Sequence, residues 1–186
     1  MSITETSICN SALIKVGGSR IISLTQSSVE ARLCSELYEK VRDDLLRAHP
    51  WNFAITTATL AVQVSDDFGF DKMAQLPGDC LRVLNMSGEQ SFNWKIFGRK
   101  VYTDSNEIII RYVKKVTDPS QFDSNFVEVL AAKLAHELSY SLTQSTSLRN
   151  QLLQEYTLKL REARSFDAQE SAGDRVYADS WLVARY

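Results

Sequence analysis

The stretch "AHELSY", residues 135–140, opens like the zinc-protease helix H-E-x-x-H, in which two histidines one helical turn apart hold one metal ion. Here Tyr140 stands where the second histidine is required, and the other histidine of the chain, His49, precedes a proline in a different segment. His136 is therefore read as a helix-surface or partly buried residue, not a ligand. Acid–base chemistry needs two carboxylates in unlike surroundings. Asp43 with Asp44 and Glu128 with Glu137 come nearest, and both pairs fall on helix-surface positions where charges are expected to be solvated. No G-x-S-x-G elbow frames a serine, and Gly17-Gly18 belongs to neither phosphate-cradling pattern, G-x-G-x-x-G or G-x-x-x-x-G-K-S/T. Cys9, Cys34 and Cys80 are odd in number, widely spaced and without a C-x-x-C pair. That spacing argues against a disulfide framework or a zinc site and for small buried hydrophobes. The residue types point away from enzymatic chemistry: no catalytic, metal-binding or cofactor-binding residue and no cofactor are expected.

Binding chemistry leaves one trace. Lys95, Arg99, Lys100, Arg111, Lys114 and Lys115 are interleaved with Phe97, Tyr102 and Tyr112, a combination that suits a DNA path or an acidic protein, although a solvated sheet face is the simpler expectation. The whole chain of 186 residues carries a formal net charge of -2, which implies no general attraction to phosphates or anionic lipid. No apolar run approaches the ~18 residues that span a bilayer, and "MSITETSICN" has neither a basic start nor an apolar signal core. A cytoplasm-made protein without a membrane partner is expected.

Four helical segments bracket a strand-rich middle. Residues 5–16 carry Ile8, Ala12, Leu13 and Val16 on one side and run into Gly17, where a left-handed residue closes a helix. Ser27 or Ser28 caps a second helix, with Glu30 near its positive end. Val29, Leu33, Leu37, Val41 and Leu45 recur every fourth residue along it, and His49-Pro50 stops it near Ala48. Beyond lie "FAITTATLAVQV", "CLRVLNM", "FNWKIFG", "KVYTD" and "EIIIRYVKK", β-branched or aromatic runs divided by turn residues. They predict one small antiparallel sheet, with a hairpin turn at Gly98 and another turn at Pro77-Gly78. The helical period resumes as Phe122, Phe126, Leu130, Leu134, Leu138 and Leu142, then as Leu148, Leu152, Tyr156 and Leu160. From Ala168 the stripe is lost, yet Tyr177, Trp181, Leu182, Val183 and Tyr186 follow, large side chains that need something to pack against.

In that order the segments "ICNSALIKVGGSRIISL", "EARLCSELYEKVRDDLLRAHPWNFA", "QLPGDCLRVL", "WKIFGRKVYTD" and "IRYVKKVTDPSQFDSNFVEVLAAKLAHELS" are familiar. The sequence resembles the head-to-tail adaptor proteins of short-tailed bacteriophages, also called tail tubular protein A or tail accessory factor, over residues 5–165. The resemblance implies a mainly α single domain: an antiparallel helical bundle from residues 1–49 and 119–167 with a β-rich insertion at 50–118. Beyond the matched residues, the aromatic tail is expected to form an extended C-terminal arm at 168–186. The resemblance also implies a ring of identical subunits at the head-tail junction of the virion, twelve-fold like the portal, assembled in the host cytoplasm. The portal lies on one side and a distal tail or nozzle protein on the other, and genomic DNA passes through without sequence-specific binding. Tyr177, Trp181, Leu182 and Tyr186 are then the expected portal-binding residues, because Trp and Tyr dominate interfaces and a terminal segment can order on binding. Two other classes compete with it, a small phage-encoded cell-wall hydrolase working through two carboxylates and a host-interaction or DNA-binding module using the basic hairpin.

Overall fold

The computed structural model describes residues 3–65, 69–87 and 93–170. Within them the chain forms four α-helices and two antiparallel sheets: α1 (Glu5–Val16), α2 (Val29–Ala48), β1 (Ile55–Leu60), β2 (Gln63–Val64), β3 (Lys72–Gln75), β4 (Cys80–Ser87), β5 (Trp94–Phe97), β6 (Lys100–Thr103), β7 (Ile108–Lys114), α3 (Ser124–Thr143) and α4 (Thr146–Gln169). The helices begin and stop where side chains make them. Thr4, Ser28, Asp123 and Ser145 each accept an amide hydrogen bond from the first turn of the helix that follows. Gly17 closes α1 at φ 78, and Gln144 turns the chain between α3 and α4 at φ 53.

All four helices meet in one core. Ile8, Leu13, Tyr38, Leu45, Phe126, Leu130, Leu134 and Leu138 are buried together, with Leu152 and Ala163 from α4. α3 is central: α1, α2 and α4 all pack on it. The direction of α4 follows from its ion pair with α3: Lys159 Nζ lies 3.2 Å from Glu128 Oε2, and the two residues are nearly equidistant in sequence from the Gln144 turn, so α4 runs back along α3. Lys15 of α1 pairs with Glu155 of α4. The buried thiols of Cys9 and Cys34 meet across α1 and α2, where a hydrogen bond to Cys34, then burial, pushes the Cys9 thiol up.

The spacing of α2 is where sequence and structure diverge. Val29 is 54% exposed, and Leu33 and Leu37 are only partly buried, whereas Ala31, Cys34, Tyr38, Val41 and Leu45 form the buried stripe. A row of every fourth residue advances about 40° around the helix at each step, so over the length of α2 it winds off one face. The buried set instead alternates steps of three and four. Arg42 lies on the same face, 1% exposed; its Nε donates to Asp43 Oδ1 at 2.8 Å, and Asp43 Oδ2 is 2.9 Å from Lys115 Nζ. Asp43 is thus a half-buried bridge between α2 and the end of β7, not the solvated charge its position suggested.

One expected sheet becomes two. β1, β7 and β4 form a three-stranded sheet in that order, and β2, β3, β6 and β5 a four-stranded one. The strand missing from the sequence reading is β3: Lys-Met-Ala-Gln has no β-branched residue, and its pairing with β6 and the burial of Ala74 select it instead. The hairpin at Gly98 forms as expected, joining β5 to β6 with φ 58 at Gly98. Between the sheets lies a second core of Leu60, Ala74, Leu76, Cys80, Met86, Val101, Ile108, Ile110 and Tyr112. The next residue of β7, Val113, belongs to the helical core, so this strand stitches the two cores together. Two register shifts in β4 have a related effect, since Val83 and Met86 face the sheet core while Leu81 and Leu84 pack on the helices.

Candidate functional site

His49 leaves the helix with φ -138 and ψ 143, the extended geometry that a following proline imposes. Trp51 then folds back beneath α2. Its indole Nε1 donates to the carbonyl oxygen of Leu45 at 3.0 Å, which occupies one of the four carbonyls that a helix end leaves without an internal partner. The ring is 1% exposed and meets Phe126 edge-on, with centroids 5.2 Å apart, and His49 likewise at 4.7 Å.

The polar side of this elbow holds the end of α4. His49 Nε2 donates to Asp167 Oδ2 at 2.9 Å, and the Asn52 backbone N–H donates to Oδ1 of the same carboxylate at 2.9 Å. The carboxylate is acceptor-only, so it fixes the proton on Nε2. The Asn52 side-chain amide also donates to the Asp167 backbone carbonyl at 2.6 Å. One acidic residue near the end of α4 therefore clamps both sides of the Pro50 turn. A carboxylate and the imidazole it orients are also two of the three members of a catalytic triad. Among the described residues no hydroxyl or thiol hydrogen-bonds to His49, and the arrangement works as a clamp.

Burial, with smaller contributions from Arg164 and Arg82, outweighs the pull of Asp167 and holds His49 below its ordinary pKa. The unfolded chain consequently takes up the proton first. Stability linked to His49 is complete above the unfolded value of about 6.5 and declines as pH falls from there toward the folded value. Chemical denaturation between pH 7.5 and about 5 should show this loss in the native chain and a flatter profile in His49→Asn; identical slopes for the two proteins would contradict the clamp.

Beside the elbow, between the end of α2 and the two sheets, lies a cleft of about 180 Å³. Leu76, Leu81, Val83 and Ile96 supply apolar walls, and Arg47, Arg82 and Arg99 line it as well. Arg47 donates to the carbonyl of Leu81, and Arg99 to those of Pro77 and Gly78. The Arg82 Nε is buried without a hydrogen-bond partner, and none of the three arginines has an ion-pair partner among the described residues. Burial pushes the thiol of Cys80, on the same wall, up from its ordinary value.

The basic group anticipated from sequence is divided. Lys95, Arg99 and Lys100 sit on the β5–β6 hairpin, with Lys95 over the ring of Phe70 and Phe97 edge-on to Tyr102. Arg111 and Lys114 belong to β7 in the other sheet, Lys115 is held by Asp43, and the Tyr112 hydroxyl donates to Asp79. Arg99 alone of that group reaches the cleft, and Arg47 and Arg82, its partners there, carried no local signal. His136 Nδ1 is 3.7 Å from Glu137, and among the described residues no group of three metal-ligating side chains occurs. Helix α4 continues to Gln169, past the boundary expected at Ala168, because "REARSFDAQ" keeps helix-forming residues after its apolar stripe ends. Tyr177, Trp181, Leu182 and Tyr186 lie outside the described residues. No family model and no curated protein sequence matches the chain.

Proposed function

We propose that this chain is a structural virion protein, a head-to-tail adaptor that forms a ring between the portal and the distal tail components of a short-tailed bacteriophage. In this reading the four helices form an antiparallel bundle and the residues between Trp51 and Asp118 its β-rich insertion. The observation that supports it is the elbow. His49, Pro50 and Trp51 carry the chain out of the helices and into the strands, and Asp167 ties the last turns of α4 to the same point. The arm that follows would therefore leave the subunit from a braced junction, where load between ring and portal can pass into the core.

Its work would be mechanical. A ring of such subunits extends the DNA channel, retains the packaged genome and lets it pass at ejection, and a net charge of -2 is compatible with a lumen that does not hold DNA by phosphate contacts. Tyr177, Trp181, Leu182 and Tyr186 supply the grip on the portal, with Trp181 the main anchor.

Truncation after Glu170 tests this. The shortened chain should fold with little change in melting temperature yet no longer co-sediment with cognate portal rings. Unchanged binding by the truncated chain, or its failure to fold, would overturn the role given to the arm.

A further inference from the structure

Two of the three cysteines are placed for chemistry that their spacing in the sequence conceals. Cys9 and Cys34 stand twenty-five residues apart on α1 and α2, and both are 0% exposed in the helical core. Their thiols are in contact there, with Cys9 donating its S–H to the sulfur of Cys34. That bond lowers the Cys34 thiol from its ordinary value, and the same bond together with burial pushes the Cys9 thiol up. Two touching cysteines suit either a metal ion or a bond to each other. A metal needs further ligands, and among the described residues no group of three metal-ligating side chains occurs. The pair also sits where a bond would matter, because α1 and α2 pack chiefly on α3 and only sparingly on one another.

We propose that Cys9 and Cys34 are a disulfide-forming pair, joined when a peroxide reaches the helical core, and that the bond staples α1 to α2. Hydrogen peroxide is scarcely larger than water and enters as the helices open locally. The Cys34 thiolate attacks one peroxide oxygen; an S–O bond forms, the O–O bond breaks, and the departing oxygen leaves as water. The Cys9 sulfur then attacks the sulfur of that sulfenic acid. An S–S bond forms, the S–O bond breaks, and the leaving hydroxide takes the Cys9 proton as a second water. The two thiols are thereby oxidised by two electrons and the peroxide is reduced to two waters. The staple closes a loop that includes the whole α1–α2 connection and removes freedom from the unfolded chain. In a virion protein, which folds in a reducing cytoplasm and acts outside it, such a bond would form after assembly; the chemistry itself does not depend on that reading.

The test treats the folded full-length chain with a small excess of hydrogen peroxide, then denatures it, alkylates free thiols with N-ethylmaleimide and digests it with trypsin for mass spectrometry. The expected product is the peptide of residues 1–15 joined to that of 33–40, with Cys80, which lies in the other core, alkylated. The melting temperature should rise by about 5 °C or more and fall back on adding dithiothreitol, whereas Cys34→Ala should show no rise. Should that variant not fold, the wild-type chain decides alone. Cys9 and Cys34 still alkylated after treatment, sulfinic acid at either position, a cross-link through Cys80 or between two chains, or an oxidised chain that melts below the reduced one would each overturn the proposal.

Discussion

Trp51→Ala is expected to cost about 3 to 5 kcal/mol, the range for removing a large aromatic side chain from a core. Three contributions combine at this residue. The ring is 1% exposed and contacts Phe126, Phe53 and His49, so truncation leaves a cavity with aromatic walls on several sides. The indole N–H is lost from the Leu45 carbonyl, which lies inside the fold where water does not readily replace it. The turn that delivers Asn52 to Asp167 also loses its floor. A domain of this size is stable by only about 5 to 15 kcal/mol, so the variant forfeits a large share of its margin. Denaturant melts report the difference, and Trp51→Phe should recover most of it by refilling the volume without the hydrogen bond. A loss below about 1 kcal/mol in Trp51→Ala would mean that the elbow does not carry the junction.

Leu134→Ala should come next, at about 2 to 5 kcal/mol. Leu134 is 0% exposed in the middle of α3, the helix against which α1, α2 and α4 all pack. Its neighbours are held by three other helices, which limits how far the site can collapse around the lost methyl groups. Denaturant melts again provide the measure. A loss under about 1 kcal/mol would place that face of α3 at the surface and separate the helices.

These two residues differ in how visible they were. Leu134 belongs to an apolar row that local periodicity reveals, and the helix ends at Gly17, Ser28 and Pro50 were legible because capping and proline chemistry act within a few residues. A proline stop after α2 was equally plain. What the chain does there was not, because the bond from Trp51 to Leu45 requires the turn to exist, and the bonds from His49 and Asn52 to Asp167 join residues more than a hundred positions apart. Nothing about an aspartate on the third-last helical position distinguishes it from a solvated charge. The rotated face of α2 was hidden for another reason. Tyr38 and Arg42 are buried there, and an apolar tally omits both, although the tyrosine ring and the arginine stem are largely hydrocarbon. The arginine-lined cleft was likewise invisible, since α2, β4 and the β5–β6 hairpin each contribute one of its arginines.

The reading of this chain as a connector rests finally on assembly. Mixing full-length protein with cognate portal rings, followed by size exclusion and negative-stain imaging, tests it most directly. The expected result is co-elution, with a second ring stacked coaxially on the portal and matching its symmetry. A chain that elutes apart from the portal at micromolar concentrations, with portal rings bare in the images, would contradict the account.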